Sequence, residues 1–260
     1  MVRVAGGTPV EVPFYTRLYE NPELSVGEYL ERHLIPEIVA LYLNSPNNPS
    51  GKVLNRQQLE EIAEFVKRHN LWLISDEAYD GMTYDEHRHI SIAGLPGMFE
   101  RTLSIFTFSK VYMFAGLRLG YLVAPNAVLR NINKVMVHQL YSPSTLAQNM
   151  MVEPVKSRKA WGPEFVNHCR ELRDLFSDNL RVEHYRPEGA YYLFFSIERY
   201  LRGRDYWQVI EECLDVGASV APGNDFGADF SHYIRICFAG EPPERLEVAV
   251  DRLNQVLAGE

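Results

Sequence analysis

Residues 37–75 carry the pattern that most narrows the fold. A β-rich apolar run at residues 37–43 ends in Asn44-Ser-Pro-Asn-Asn-Pro-Ser-Gly51, a loop dense in turn formers. Asn55 stands three residues before Gln58, the spacing at which two side chains cap a helix start reciprocally. Leu59, Ile62, Ala63 and Val66 follow at helical intervals, and Asn70 closes the helix. Residues 71–75, Leu-Trp-Leu-Ile-Ser, are then continuously apolar, as a parallel strand covered on both faces requires. Strand, helix and strand in this order predict a right-handed βαβ unit. Strand signals at 102–108 and 118–124, and a helix from Asn126 carrying Val128, Ile132, Val135 and Met136, extend it. The expected fold class is α/β, with a mostly parallel sheet.

Beyond Tyr141 the pattern changes, which predicts a division into residues 1–140 and a smaller α+β segment, 141–260. Ser142-Pro-Ser-Thr and Pro154 read as breaks, and a long helix is expected over 163–180 with Phe165, Cys169, Leu172 and Phe176 on one face. Strands are expected at 190–195 and 233–238, and helices at 205–216 and 243–257. Residues 1–37 read as turn-rich, with one short amphipathic stretch at 26–34.

Composition excludes several function classes. Among 260 residues, 46% are hydrophobic and 23% charged, which is ordinary for a soluble globular protein. The net charge of −8, with no clustered basic residues, argues against nucleic acid and anionic membranes as partners. Cys169, Cys213 and Cys237 lack disulfide or metal-ligand spacing, and a reducing cytoplasmic setting is expected. His69, His87, His89, His138 and His184 show no metal spacing either and are assigned to surface or core. No apolar run approaches the ~20 residues that span a bilayer.

Open α/β sheets bind ligands at the carboxyl ends of their strands. Asp76 falls at one such end, and Thr107-Phe-Ser-Lys110 at another. A lysine in such a crevice can act as an amine nucleophile toward an aldehyde, and Arg118 near the Thr107 and Ser109 hydroxyls suits a phosphate. Together these groups suggest a phosphorylated aldehyde cofactor. Singly, each also fits an ordinary role: Lys110 on the surface, Arg118 in an ion pair, Asp76 capping a turn, Tyr79 as a half-buried aromatic, Asn48 in a structural turn. Arg235, inside a late strand, must be paired or solvent-facing. Its ordinary role would be an edge-strand ion pair with a nearby Glu.

Thr107-Phe-Ser-Lys110 followed by Gly116-Leu-Arg118-Leu-Gly120 resembles the lysine segment of the class I/II aminotransferases, pyridoxal-phosphate enzymes of fold type I. Asn48-Pro-Ser-Gly51, Asp76-Glu-Ala-Tyr79 and the strand around Arg235 match in the family's order, and the resemblance runs from about Ala5 to the last helix. It implies pyridoxal 5'-phosphate as cofactor. Lys110 would condense with its aldehyde and move protons, and Asp76 would keep the pyridine nitrogen protonated. Asn48 and Tyr79 would serve the ring oxygen, and Thr107, Ser109 and Arg118 the phosphate. Arg235 would grip the substrate carboxylate. The expected reaction passes an amino group from an α-amino acid to a 2-oxo acid, with elimination or decarboxylation on the same scaffold as alternatives.

By analogy a homodimer is expected. The turn Ala5-Gly6-Gly7-Thr8-Pro9-Val10 resembles one in the middle of the family's large domain, so the chain is expected to begin in mid-fold. A first strand, a phosphate-binding helix N-terminus and a ring-stacking aromatic would then lie outside it. Three forms are compatible with this: a fragment or half of a split enzyme completed by a separate N-terminal part, a compact enzyme, or a non-catalytic binding module.

Overall fold

The computed structural model describes residues 2–259. Met1 and Glu260, the outer limits of the two expected segments, lie outside the described residues. The chain forms α1 (Phe14–Glu20), α2 (Val26–Glu31), β1 (Ala40–Asn44), α3 (Arg56–Arg68), β2 (Trp72–Asp76), β3 (Thr102–Thr107), β4 (Gly120–Val123) and α4 (Asn126–Leu140). There follow α5 (Thr145–Lys156), α6 (Arg158–Asn179), β5 (Tyr192–Ser196), α7 (Tyr206–Asp215), β6 (Ala221–Pro222), β7 (Tyr233–Cys237) and α8 (Pro243–Leu257).

The strands make two sheets. The first has the order β1-β2-β3-β4, parallel over β1 to β3 and antiparallel between β3 and β4. The second is antiparallel, with the order β5-β7-β6. An α/β fold with a mostly parallel sheet is therefore what the chain adopts.

Local chemistry sets the boundaries. The Gln58 amide donates to Asn55 Oδ1 at 2.9 Å and the Asn55 amide to Gln58 Oε1 at 3.0 Å, so both halves of the capping box form. Leu59, Ile62, Ala63 and Val66 are buried, in a core with Leu43, Leu73, Phe14, Leu18, Val26 and Leu30. Asn70 ends the helix with φ of 50°, a left-handed conformation that asparagine tolerates better than most residues. Between β3 and β4 the backbones approach so closely that a Cβ at Gly120 would sit 2.5 Å from the Phe106 carbonyl oxygen.

Two expectations need correction. The first residues are not merely turns around one amphipathic stretch: α1 forms because Phe14 and Leu18, a helical turn apart, both reach the core. Pro154 does not break the chain. It sits in the last turn of α5, and its carbonyl accepts the Trp161 indole N–H at 3.0 Å. The long helix α6 likewise starts ahead of Pro163, which lies inside it.

Residues 187–190 join the two sheets. The Glu188 and Gly189 amides donate to the Gly51 carbonyl at 3.0 and 2.8 Å, and the Tyr84 amide donates to the Glu188 carbonyl at 2.9 Å. The Glu188 carboxylate accepts from Lys52 Nζ at 2.5 Å and from the Val53 amide at 3.0 Å. A second core, from Tyr79, Met82 and Tyr84 through β5, β7, α6, α7 and α8, is continuous across this junction. Among the described residues no helix is long and apolar enough to cross a membrane.

The capping box gives a direct test. Replacing Asn55 by Ala is expected to cost about 1 kcal/mol, read as a lower urea midpoint at unchanged slope.

Candidate active site

The carboxyl ends of β1, β2 and β3 lie side by side, with Asn44 opposite Asp76 and Asp76 opposite Ile105. The Asp76 carboxylate accepts from the Tyr42 hydroxyl at 2.6 Å and from the Ala78 amide at 3.1 Å. Burial first, and then Asp76 itself, push the Tyr42 phenol well above its ordinary pKa, so it stays a donor. Asn44, buried beside it, donates Nδ2 to the Asp76 carbonyl at 2.9 Å and accepts the Asn48 amide on Oδ1 at 2.7 Å.

Asn48 then reaches the second sheet, accepting from Arg235 Nη1 at 2.9 Å. Arg235 lies on β7, the central strand, and not on an edge; its partner is this amide. Its guanidinium carbon stands 4.4 Å from the Tyr192 ring centre and 4.8 Å from that of Phe226. Each such contact is worth about 0.5–2 kcal/mol, and together they hold the fork flat. Its Nε is buried without a partner, a donor that a carboxylate would satisfy.

Lys110 follows β3. Its Nζ is 5.8 Å from the centre of the Tyr79 ring and 6.0 Å from that of Tyr191. Tyr79 is buried, and its hydroxyl meets the Tyr192 hydroxyl at 3.1 Å. Burial and then Tyr192 raise the Tyr79 phenol well above its ordinary pKa, with the Asp76 charge adding a smaller push.

Thr107 Oγ1 donates to Ser109 Oγ at 3.0 Å and accepts the Ser109 amide at 3.1 Å, which gathers the two hydroxyls at the strand end. Arg118 is exposed in the left-handed region, with φ of 51°, and its Nη1 donates to the Ala115 carbonyl at 2.8 Å. Its guanidinium serves its own turn. Among the described residues Asp76, Lys110, Arg118 and Arg235 form no ion pair with one another or with any other side chain.

The structure thus connects Asn48, Asp76 and Arg235 through Asn44, sets Lys110 over Tyr79, and pairs Thr107 with Ser109. Sequence reasoning passed over Asn44, Tyr42 and Tyr192; Tyr191 and Phe226 fall in two stretches, 187–191 and 221–227, that resemble family loops near the active site but to which it assigns no chemistry. Asn44 carried a signal, a polar residue ending an apolar strand, and the structure sets it opposite Asp76. Tyr42 and Tyr192 carried none, because tyrosine in a strand is an ordinary core or half-buried residue.

The carboxylate next to Asp76 has a different fate. Glu77 is 1% exposed and accepts from the Ser75 and Ser91 hydroxyls at 3.0 and 2.9 Å and from His89 Nε2 at 2.8 Å. Burial alone would raise its pKa, but the hydrogen bonds from His89 and Ser91 help to hold it below the usual carboxylate value.

A family model described as aminotransferase class I and II matches residues 1–253. Over 264 residues the chain is 38% identical to aromatic-amino-acid aminotransferase 2 of Thermococcus litoralis, covering 98% of this chain and 66% of that protein. It is 36% identical to an aspartate aminotransferase of Pyrococcus abyssi, with 98% and 66% covered. Among solved structures it matches the aromatic aminotransferase from Pyrococcus horikoshii OT3 with a TM-score of 0.91 at 36% identity, covering 99% of this chain and 69% of that one. A Thermus thermophilus aspartate aminotransferase double mutant matches with a TM-score of 0.88 at 30% identity, covering 98% and 66%. The chain spans about two thirds of the length of the curated relatives it matches.

The Glu77 site sets a pH dependence. A carboxyl whose pKa is lowered by folding contributes stability that is full above its unfolded pKa and is lost as pH falls through the folded one. Glu77→Gln is therefore expected to be less stable than the natural chain at neutral pH, with the gap closing as pH falls below the ordinary carboxylate range, as read by thermal unfolding at a series of pH values.

Proposed function

The chain belongs to the class I and II aminotransferases, and on that premise we propose that it carries the lysine, aspartate and carboxylate-binding arginine of a pyridoxal 5'-phosphate site that exchanges amino groups between α-amino acids and 2-oxo acids. The family depends on this cofactor. The donor set fits it: an amine, a carboxylate and two hydroxyls stand at neighbouring strand ends, and neither the amine nor the carboxylate is consumed by an ion pair. When bound, the cofactor supplies an electron sink for the substrate α-carbon.

Each residue then has a task. Lys110 Nζ would bind the aldehyde carbon and afterwards carry a proton to and from the substrate α-carbon. Asp76, oriented by Tyr42 and the Ala78 amide, would hold a proton on the pyridine nitrogen. Asn48 and Tyr79 would face the ring oxygen, and Thr107 and Ser109 the phosphate. Arg118 would join them by exchanging the Ala115 carbonyl for a phosphate oxygen, an exchange its exposed position leaves open. Arg235, flattened between Tyr192 and Phe226, would bind the α-carboxylate through the fork that includes the unpartnered Nε.

One observation carries this reading. The hydrogen-bonded path Asp76, Asn44, Asn48, Arg235 places the carboxylate that would serve the cofactor and the guanidinium that would serve the substrate on one connected frame. Residues 1–140 would hold the cofactor and 141–260 would close over the substrate, in a cytoplasmic protein working as a homodimer or with a further segment that completes the relatives' length.

Pyridoxal phosphate added to the purified chain, alone and with that further segment co-expressed, is expected to give a visible absorption band in at least one case. Lys110→Ala is expected to abolish the band. A band of equal strength in Lys110→Ala would overturn the reading. In the active form, Arg235→Lys is expected to raise KM for the amino acid about tenfold or more, since a lysine cannot replace a bidentate fork.

A further inference from the structure

A groove of about 710 Å³ runs between the loop 81–88 and the first half of α6. On the helix side it is lined by Arg158, Gly162, Val166 and Arg170, which recur every four residues and so share one face. Gly81 marks the Arg158 end. A Cβ there would run into the Arg158 guanidinium, so only glycine lets that side chain lie across the loop. Asp85 marks the other end, because its carboxylate is gripped at 2.7 and 3.2 Å by Arg173, three residues beyond Arg170. Arg88 joins this end, donating Nη1 to the Asp85 carbonyl at 2.9 Å, and Lys159 lines the first. Four cations that the sequence scatters over residues 88–170 therefore form two poles, about 18 Å apart along the helix axis.

The poles keep most of their charge. Asp80 is engaged by Arg158 at 3.0 Å and Asp85 by the buried Arg173. Arg88, Lys159 and Arg170 are exposed and, among the described residues, form no ion pair. In a chain of net charge −8, one groove thus carries three cations that no carboxylate offsets. Between the poles the lining is uncharged: Gly162, Pro163 and Val166 of α6, with Val111 and Thr83.

We infer that this groove binds an extended peptide with acidic side chains at both ends of a short uncharged stretch. At ~3.3 Å per residue, about five or six residues reach from one pole to the other. The arginines at the poles grip carboxylates through paired N–H donors, and the uncharged stretch lies on the lining between them. A linear polyphosphate is charged along its whole length, and would set its middle charges against Val111, Pro163 and Val166 with no cation to meet them. A short dianion reaches one pole only. The groove is separate from the residues that would hold the cofactor: Val111 lines it, while the adjoining Lys110 stands over the Tyr79 and Tyr191 rings. Peptide binding here does not depend on what Lys110 does.

The test is fluorescence anisotropy of the full chain, without cofactor and at physiological ionic strength, with a labelled peptide Asp-Glu-Val-Ala-Val-Glu-Asp. Saturable binding is expected. Lys159→Glu and Arg170→Glu, one at each pole, are each expected to weaken it about tenfold or more, with unfolding midpoints unchanged because both positions are exposed. Lys134→Glu makes the same charge change on α4, away from the groove, and is expected to leave binding unaltered. Absence of saturable binding would overturn the inference, as would equal binding of a peptide whose four acids are gathered at its centre. So would an equal loss in Lys134→Glu, displacement of the peptide by linear polyphosphate at lower concentration, or a loss confined to variants that also unfold earlier.

Discussion

The carboxamide of Asn44 is the interaction on which the site depends. Buried at the end of β1, it spends its donor on the Asp76 carbonyl and its acceptor on the Asn48 amide, fixing the end of β2 and the loop that follows β1 with one side chain. A buried amide left with unmade hydrogen bonds costs about 1–3 kcal/mol, so the loop has little freedom to move away. Asn48 passes that constraint across to Arg235 on the other sheet. The backbone contacts of residues 187–190 with Gly51, Met82 and Tyr84 repeat the tie a few residues away, with the Glu188 to Lys52 pair beside them. The position of a guanidinium on β7 is thereby set by the parallel sheet.

Strand alternation explains why adjacent acids behave differently. Successive side chains leave a strand on opposite faces. Glu77 turns inward, accepts hydrogen bonds from two hydroxyls and a histidine, and serves the fold. Asp76 turns to the open side, meets one phenol and one amide, and keeps its charge available to a ligand. Lys110 is likewise held by aromatic faces and not by a carboxylate, which positions the amine without an ion pair.

Much of the fold was legible because period and capping speak locally. The run 71–75 could only be a strand, and Asn55 with Gln58 could only start a helix; both stand within a residue of where the sequence puts them, although the strand is not covered on both faces, with Trp72 44% exposed. α1 was missed because seven residues offer too few apolar repeats to outweigh the prolines and asparagines around them. Pro154 misled because a helix can carry a proline at the cost of a backbone hydrogen bond where packing holds its other residues, as it holds Ala147 and Met151, and that packing is not written in the local sequence. At the site, each charged residue was found through its family motif. The groups that orient them were not: Asn44 and Tyr42 reach Asp76 across 32 and 34 residues and Tyr192 reaches Arg235 across 43, contacts that no local pattern encodes, while Phe226 stands nine residues before Arg235. Arg118 shows the converse, a motif residue in its expected place whose side chain is engaged by its own turn.

That the amine of Lys110 and the carboxylate of Asp76 address the same bound ring is best tested by trapping. The chain would be incubated with pyridoxal phosphate, with the completing segment present, then reduced with borohydride, and the covalent label mapped by mass spectrometry in the natural chain and in Asp76→Ala. The account predicts one dominant labelled peptide, containing Lys110, with labelling reduced at least about tenfold in the variant. Label spread evenly over surface lysines, or a Lys110 label indifferent to the loss of Asp76, would contradict it.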